Sequence, residues 1–377
     1  MLSVRTLLVL ILALAVWLGW WANGARNQRA AVAAVTKEPY FANVMYEEEF
    51  AQASFSGLGG GRVGSARREK SWVPASGESW LGKDYFHNVS AIAFSKDGNS
   101  APSDDRETFR KIARVRNLDQ LNPNVEVRDE DIARIARLPY LRILSLRADS
   151  PELSDDALGL LAGMPRLETL EIHNAPVTDA GLARLEGLRT LRHLLLGKAQ
   201  PFDAGGNPIA ITGEGFAHLT GLPALAELEV HSPALTGGGL GHLGGLRHLK
   251  RLRLRSATIT DDDLRSLAGL TELESLEIFG AGIDGTGFRH LTELSKVSYV
   301  CIECPNVTDA ALPFLARLPR LESVMIYNTR VTASGLEVFR STPSLKQMGL
   351  IPAVQGDTKR LKQALSHCNV LNGGRSL

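Results

Sequence analysis

Apolar residues recur along this chain in a fixed frame, L-x-x-L-x-x-L-x-L. The clearest copies are Leu222-Leu225-Leu228-Val230, Leu246-Leu249-Leu252-Leu254, Leu270-Leu273-Leu276-Ile278, Leu294-Val297-Val300-Ile302 and Leu318-Leu321-Val324-Ile326, which begin about 24 residues apart. Earlier copies pass through Leu138-Leu141-Leu144-Leu146, Met164-Leu167-Leu170-Ile172 and Leu188-Leu191-Leu194-Leu196. Degenerate copies open the series at Phe86-Val89-Ile92-Phe94 and Val115-Leu118-Leu121, and Leu345-Met348-Leu350 closes it, giving about 11 repeats. The L-x-L step has period two, so it predicts a strand whose leucines share one face.

A second signature follows each strand. Val177-Thr178-Asp179-Ala180-Gly181-Leu182-x-x-Leu185 returns as Ile259-Thr260-Asp261…Leu264…Leu267 and Val307-Thr308-Asp309…Leu312…Leu315. Thr followed by Asp predicts a helix start, because the hydroxyl accepts from an orphan N–H and the carboxylate suits the positive helix end. Leucines three apart give that helix one apolar face. A single coil cannot fold alone, since ordering each residue costs on the order of 1–2 kcal/mol. The apolar rows must be buried against the same rows next door. The expected architecture is an α/β solenoid, a curved horseshoe with parallel strands on its concave face and helices on its convex face.

This combination of L-x-x-L-x-x-L-x-L with T-D-x-G-L-x-x-L resembles the leucine-rich-repeat superfamily over roughly residues 83 to 377. It is most similar to bacterial members with a membrane-proximal N-terminal helix, and also to the repeats of F-box receptor subunits. It departs from the common pattern in lacking a regular Asn after the strand, where Ala175, Ala281, Pro305 or Thr329 stands. The resemblance implies recognition of a macromolecule, not chemistry.

The N-terminus reads differently. Thr6 to Ala25 is an uncharged run, and about 20 apolar residues suffice for a transmembrane helix. Trp17, Trp20 and Trp21 lie toward one end, as in an interfacial belt. A cleaved secretory signal, leaving a secreted protein, is the alternative. Arg5 on one side and Arg26, Arg29 and Lys37 on the other give no orientation. The expected organisation is an anchor over 1–25, a juxtamembrane helix and Gly-rich linker over 26–82, and the repeats over 83–377 with a C-terminal cap from about 352. Tyr40 to Tyr46 could form an edge strand. Thr358 to His367 reads as a helix and Cys368 to Leu371 as a last strand. Gly59, Gly61 and Gly64 match G-x-G-x-x-G but lack the flanking strand and helix of a dinucleotide site. Gly197 to Thr212 inserts about ten extra residues into one repeat, a surface loop leaving the stack.

Charge and cysteine content narrow the function. Lys+Arg total 42 against 41 for Asp+Glu, so the basic excess expected of a nucleic-acid protein is missing. The three cysteines, Cys301, Cys304 and Cys368, are too few for a disulfide framework. Cys301-Ile-Glu-Cys304 resembles half of a metal or redox pair, without a second half. His173, His193 and His231 come from consecutive repeats but from different lateral rows. No nucleotide-loop, zinc-protease or nucleophile-elbow motif occurs. No catalytic residue, metal or cofactor is expected.

Strand alternation exposes a set of inner-face residues. The candidate partner site is Glu227, Glu229, His231, Arg251, Arg253, Arg255, Glu277, Phe279, Tyr299, Glu303, Met325 and Tyr327. Parallel strands about 4.8 Å apart should put Arg253 between Glu229 and Glu277, and Arg251 beside Glu227. These arginines either form an internal charge ladder or grip a partner's carboxylates next to aromatic anchors. The expectation is a membrane-anchored, non-enzymatic scaffold for a protein or peptide, with no nucleic acid and no small-molecule substrate. Two alternatives are a protein-turnover adaptor like F-box receptors and, more remotely, a metal-dependent enzyme.

Overall fold

A computed structural model describes residues 4–36, 40–46, 89–96, 106–115, 117–147, 153–197, 210–351, 356–373 and 375–376. Side chains in the first helix are described from Leu12 onward. The glycines at 59, 61 and 64, Phe86, and most of the 197–212 insertion lie outside the described residues. The chain divides into two compact units, Met1–Arg147 with Met164–Leu167, and Ala148–Gly163 with Glu168–Leu377.

The first unit opens with α1 (Val4–Val35), an unbroken helix of 32 residues. Among the described residues no helix is long and apolar enough to cross a membrane, and the start of the expected span, Thr6 to Ile11, lies outside the described side chains. β1 (Tyr40–Tyr46) pairs antiparallel with β2 (Val89–Lys96). Then follow α2 (Arg106–Ile112), β3 (Gln120–Asn124), α3 (Asp129–Ile135) and β4 (Ile143–Arg147), with β2, β3 and β4 parallel. Ile92, Leu121 and Leu144 lie side by side across these three strands and are fully buried. The residues after Ala25, expected as a juxtamembrane helix, continue α1 without a break, and α1 packs against α2 and β1.

The second unit is a solenoid of leucine-rich coils. Its strands are β5 (Thr169–His173), β6 (His193–Leu196), β7 (Glu227–His231), β8 (Arg251–Arg255), β9 (Ser275–Phe279), β10 (Tyr299–Glu303), β11 (Ser323–Tyr327), β12 (Gln347–Ile351) and β13 (Asn369–Asn372), each parallel to the next. A helix over Thr358–Ala364 precedes β13, and a short antiparallel β14 (Arg375–Ser376) ends the sheet. Because the repeats have nearly equal length, like positions pair. Leu170, Leu194, Leu228, Leu252, Leu276, Val300, Val324 and Met348 form one row, and none is more than 2% exposed.

Helices in the coils are shorter and tighter than the T-D signature predicts. Asp179–Ala183 is α-helical, but Asp262–Gly269 and Thr286–Leu291 are 3-10 helices. A spacing of three puts Leu264 and Leu267 on one edge of a 3-10 helix, and the same spacing is accommodated by an α-helix at Leu158 and Leu161, both of which are buried.

The Asp of the signature reaches further than its own helix. Asp155 accepts from Thr178 N at 3.0 Å and Thr178 Oγ1 at 2.5 Å in the following coil. Asp179 accepts from Thr212 N and Oγ1 at 3.0 and 2.6 Å, Gly213 N at 3.2 Å and Gly215 N at 2.8 Å. Asp261 does the same for Asp284, Gly285 and Gly287, and Asp309 for Thr332. The Gly of T-D-x-G leaves room for this arm: a Cβ on Gly181 would overlap Asp155, and one on Gly335 would overlap Asp309. Without a regular Asn, side chains and backbone both bridge the turns: Ser232 Oγ donates to Ile211 O at 2.8 Å and Asn306 Nδ2 to Ala281 O at 2.7 Å. Ser232 N donates to Arg255 O at 3.2 Å, Ser256 N to Phe279 O at 2.9 Å, Gly280 N to Glu303 O at 3.1 Å and Asn328 N to Ile351 O at 2.8 Å.

Candidate functional site

Within each strand of the second unit, residues alternating with the buried leucines form three lateral rows on the open face of the sheet. The first row contains His193, Glu227, Arg251, Ser275, Tyr299, Ser323 and Gln347. The second contains Glu229, Arg253, Glu277, Cys301, Met325 and Gly349. The third contains His231, Arg255, Phe279, Glu303, Tyr327 and Ile351. All twelve residues expected at the partner site therefore lie on one face of β7–β11.

The charges on this face are matched. Arg253 Nη1 donates to Glu229 Oε1 at 3.1 Å, and its Nε and Nη2 reach Glu277 Oε2 at 2.9 and 2.6 Å. Arg251 pairs with Glu227. Arg255 skips a strand: its Nη2 lies 3.5 Å from Glu303 Oε2, and its Cζ sits 4.2 Å from the ring centroid of Phe279. Burial pushes the Glu229 carboxyl up, but His231 and Arg253 beside it pull it down by more, leaving it below the ordinary carboxylate value. His231 Nε2 is 2.9 Å from Glu229 Oε1, close enough for an ion pair but without hydrogen-bond alignment. Burial opposes the charge on Arg253, and Glu229 and Glu277 outweigh it and hold the guanidinium charged. The arginine ends stay more than a third exposed, so solvent screens these pairs and each is worth about 0–1 kcal/mol. Their main effect is to neutralise three arginines that would otherwise repel.

Toward β12 the face turns apolar. Tyr299, Met325 and Tyr327 are partly exposed, and Ile351, at the end of the third row, is 51% exposed. Gly349 serves as a floor: the Met325 thioether occupies the space that a Cβ there would take. Gly349 and Ile351 were not among the expected site residues, although carrying the same alternation one strand past Tyr327 finds both.

The cysteine and histidine sets do not form centres. Cys301 and Cys304 are free thiols on opposite sides of the strand end. Cys301 faces the second row, 2% exposed, with burial and then Glu277 pushing its thiol up to about 12. Cys304 is in the core, its Sγ 3.7 Å from Ile278 O, and burial pushes it likewise to about 12. His193 lies in the first row and His231 in the third. Among the described residues no group of three or more His, Cys, Asp or Glu is placed to hold a metal.

No protein-family model matches the chain, and no curated protein matches it. Among solved structures, an internalin from Listeria monocytogenes is similar over 78% of this chain and 92% of its own, at 18% identity and a TM-score of 0.49. An internalin C2 from the same organism is similar over 58% of this chain and 83% of its own, at 20% identity and a TM-score of 0.38. The parallel register of the strands and the buried leucine rows make the second unit a leucine-rich solenoid.

Proposed function

We propose that this chain is a non-enzymatic protein-binding module, held at a membrane by α1, that receives a protein or peptide on the strand face of β7–β12. One arrangement carries the reading: arginines already matched to glutamates lie beside partly exposed Tyr299, Met325 and Tyr327 and the open Ile351, on a sheet fixed by buried leucine rows. Interface cores favour aromatic residues, Met and Arg, and a paired arginine loses less when water is removed than a bare one. A nucleic acid fits poorly, since its phosphates would meet glutamates on both sides of Arg253.

Support for the anchor comes from α1. Every described side chain from Leu12 to Trp20 is exposed, among them Val16 at 72%, Leu12 at 64% and Trp20 at 57%. Apolar side chains open on all sides of a helix suit lipid, and the tryptophans suit its interface.

A photo-crosslinking residue in place of Tyr327, compared with one in place of exposed Arg265 on a helical turn, tests the partner site in intact cells. A protein adduct is expected at 327, absent at 265 and lost when Arg253→Glu is added. Adducts at both positions or at neither would remove the site from the strand face. Protease access to a tag after Leu377 would report the side of the membrane.

A further inference from the structure

α1 has two halves with different surroundings. From Leu12 to Trp20 every side chain is exposed. Beyond that, burial recurs at Ala25, Gln28, Ala31 and Val35, the spacing of a single helix face, and Ala31 and Val35 are fully buried. This face packs against α2 and β1, while Arg26, Arg29, Ala30 and Ala33 are exposed. The alanines bring the two helices close, since neither carries more than a methyl group. α2 is in turn locked to the sheet by Phe109, 1% exposed, whose ring centroid is 5.9 Å from that of Phe94 on β2.

Nothing interrupts the helix between the halves. It runs through Gly19 and Gly24 and contains no proline. Trp21 to Gly24 separate the exposed stretch from the docked one, and four residues of helix span about 6 Å.

We infer that α1 is a rigid strut that seats the first unit directly on the bilayer surface, its first half in lipid and its second half docked on α2. The inference rests on the anchoring proposed above. It replaces a flexible tether with a first unit braced against the bilayer through α1 and α2. The docked face begins one turn beyond the tryptophans, so α2 falls within about 15 Å of the interface. Arg26 and Arg29, exposed on the first turns past the junction, meet the headgroup layer and match anionic lipid.

The test uses the full chain in vesicles of equal phosphatidylcholine and phosphatidylglycerol. A bimane fluorophore is placed on α2 through Arg110→Cys, with Cys368→Ser to remove the half-exposed thiol, and a nitroxide quencher is carried on the lipid headgroup. Strong quenching is expected, falling several-fold when about ten Gly-Ser residues are inserted between Gly24 and Ala25, or when Ala31→Arg undocks the helix. Weak quenching, or quenching unchanged by both alterations, in protein that floats with the vesicles would overturn the strut and leave the anchor standing. Protein that fails to float with the vesicles would overturn the anchor itself.

Discussion

Arg255 stacks over Phe279, its Cζ 4.2 Å from the ring centroid, and across that ring it reaches Glu303 two strands away. The aromatic ring thus acts as a bridge between two coils that do not touch on this row. Phe279→Leu keeps an apolar side chain and removes the ring face. A double-mutant cycle with Arg255→Met, read by urea unfolding, should give a coupling of about 0.5–1 kcal/mol. A coupling of zero would make the ring a bystander.

Reversing the three arginines tests the binding face. Arg251→Glu, Arg253→Glu and Arg255→Glu together would crowd seven carboxylates where four are now matched. Partner capture should drop by about tenfold or more, with the far-ultraviolet circular dichroism of the solenoid retained, because the leucine rows are untouched. The corresponding triple methionine variant separates charge from repulsion. Capture unaffected by either set would place the partner elsewhere.

The aspartate arms make the coils cooperative. Asp179→Ala abandons four donors in the next coil and should cost about 2–3 kcal/mol, as for charge-assisted hydrogen bonds in partly buried sites. Asp156→Ala removes only a surface pair with Arg184 and should stay within about 0.5 kcal/mol. Equal effects of the two in chemical denaturation would contradict the arm.

Acid should loosen the solenoid through the same groups. Burial pushes the Asp179 carboxyl up, but the hydrogen bonds from Thr212, Gly215 and Gly213 pull it below the ordinary value, and Glu229 is lowered too. A carboxyl whose folded pKa is depressed stabilises the fold fully above its unfolded value, near 4, and loses that contribution as pH falls toward the folded value. Unfolding free energy should therefore decline between about pH 5 and pH 3, and Asp179→Asn should flatten the decline. A slope the same in both proteins would exclude Asp179 as a contributor.

Cys301 and Cys304 should resist alkylation in the folded protein at pH 8 and react once it is unfolded, because both are buried and their thiols are pushed up to about 12. Peptide mass analysis after a timed iodoacetamide exposure reads this directly. Rapid native labelling of Cys301 would mean that the second row opens.

Much of this was legible in the leucine spacing. Equal repeats stacked as parallel strands make residues about 24 apart into neighbours, so Arg253 falls between Glu229 and Glu277 by arithmetic alone. The reach of Arg255 past Phe279 was not legible, because it depends on a side-chain rotamer rather than on register. The T-D signature announced a helix start but not its second use, since the arm from Asp179 to Thr212 exists only once two coils are superposed. Docking of α1 was hidden for a different reason: its contact helix, α2, sits in the most degenerate of the repeats, where the frame that identifies a packing face has worn away.

The leucine rows also leave a problem that the ion pairs address. Aliphatic positions are interchangeable from coil to coil, so a chain that mistakenly laid β8 on β10 would still match Leu252 with Val300 and Leu254 with Ile302. That error would set Arg253 against Cys301 and strand Glu277 outside the stack. Grease cannot count coils, but an arginine claimed by carboxylates on both flanks can. In the finished stack the charged rows thereby favour this order of coils over one that skips β9.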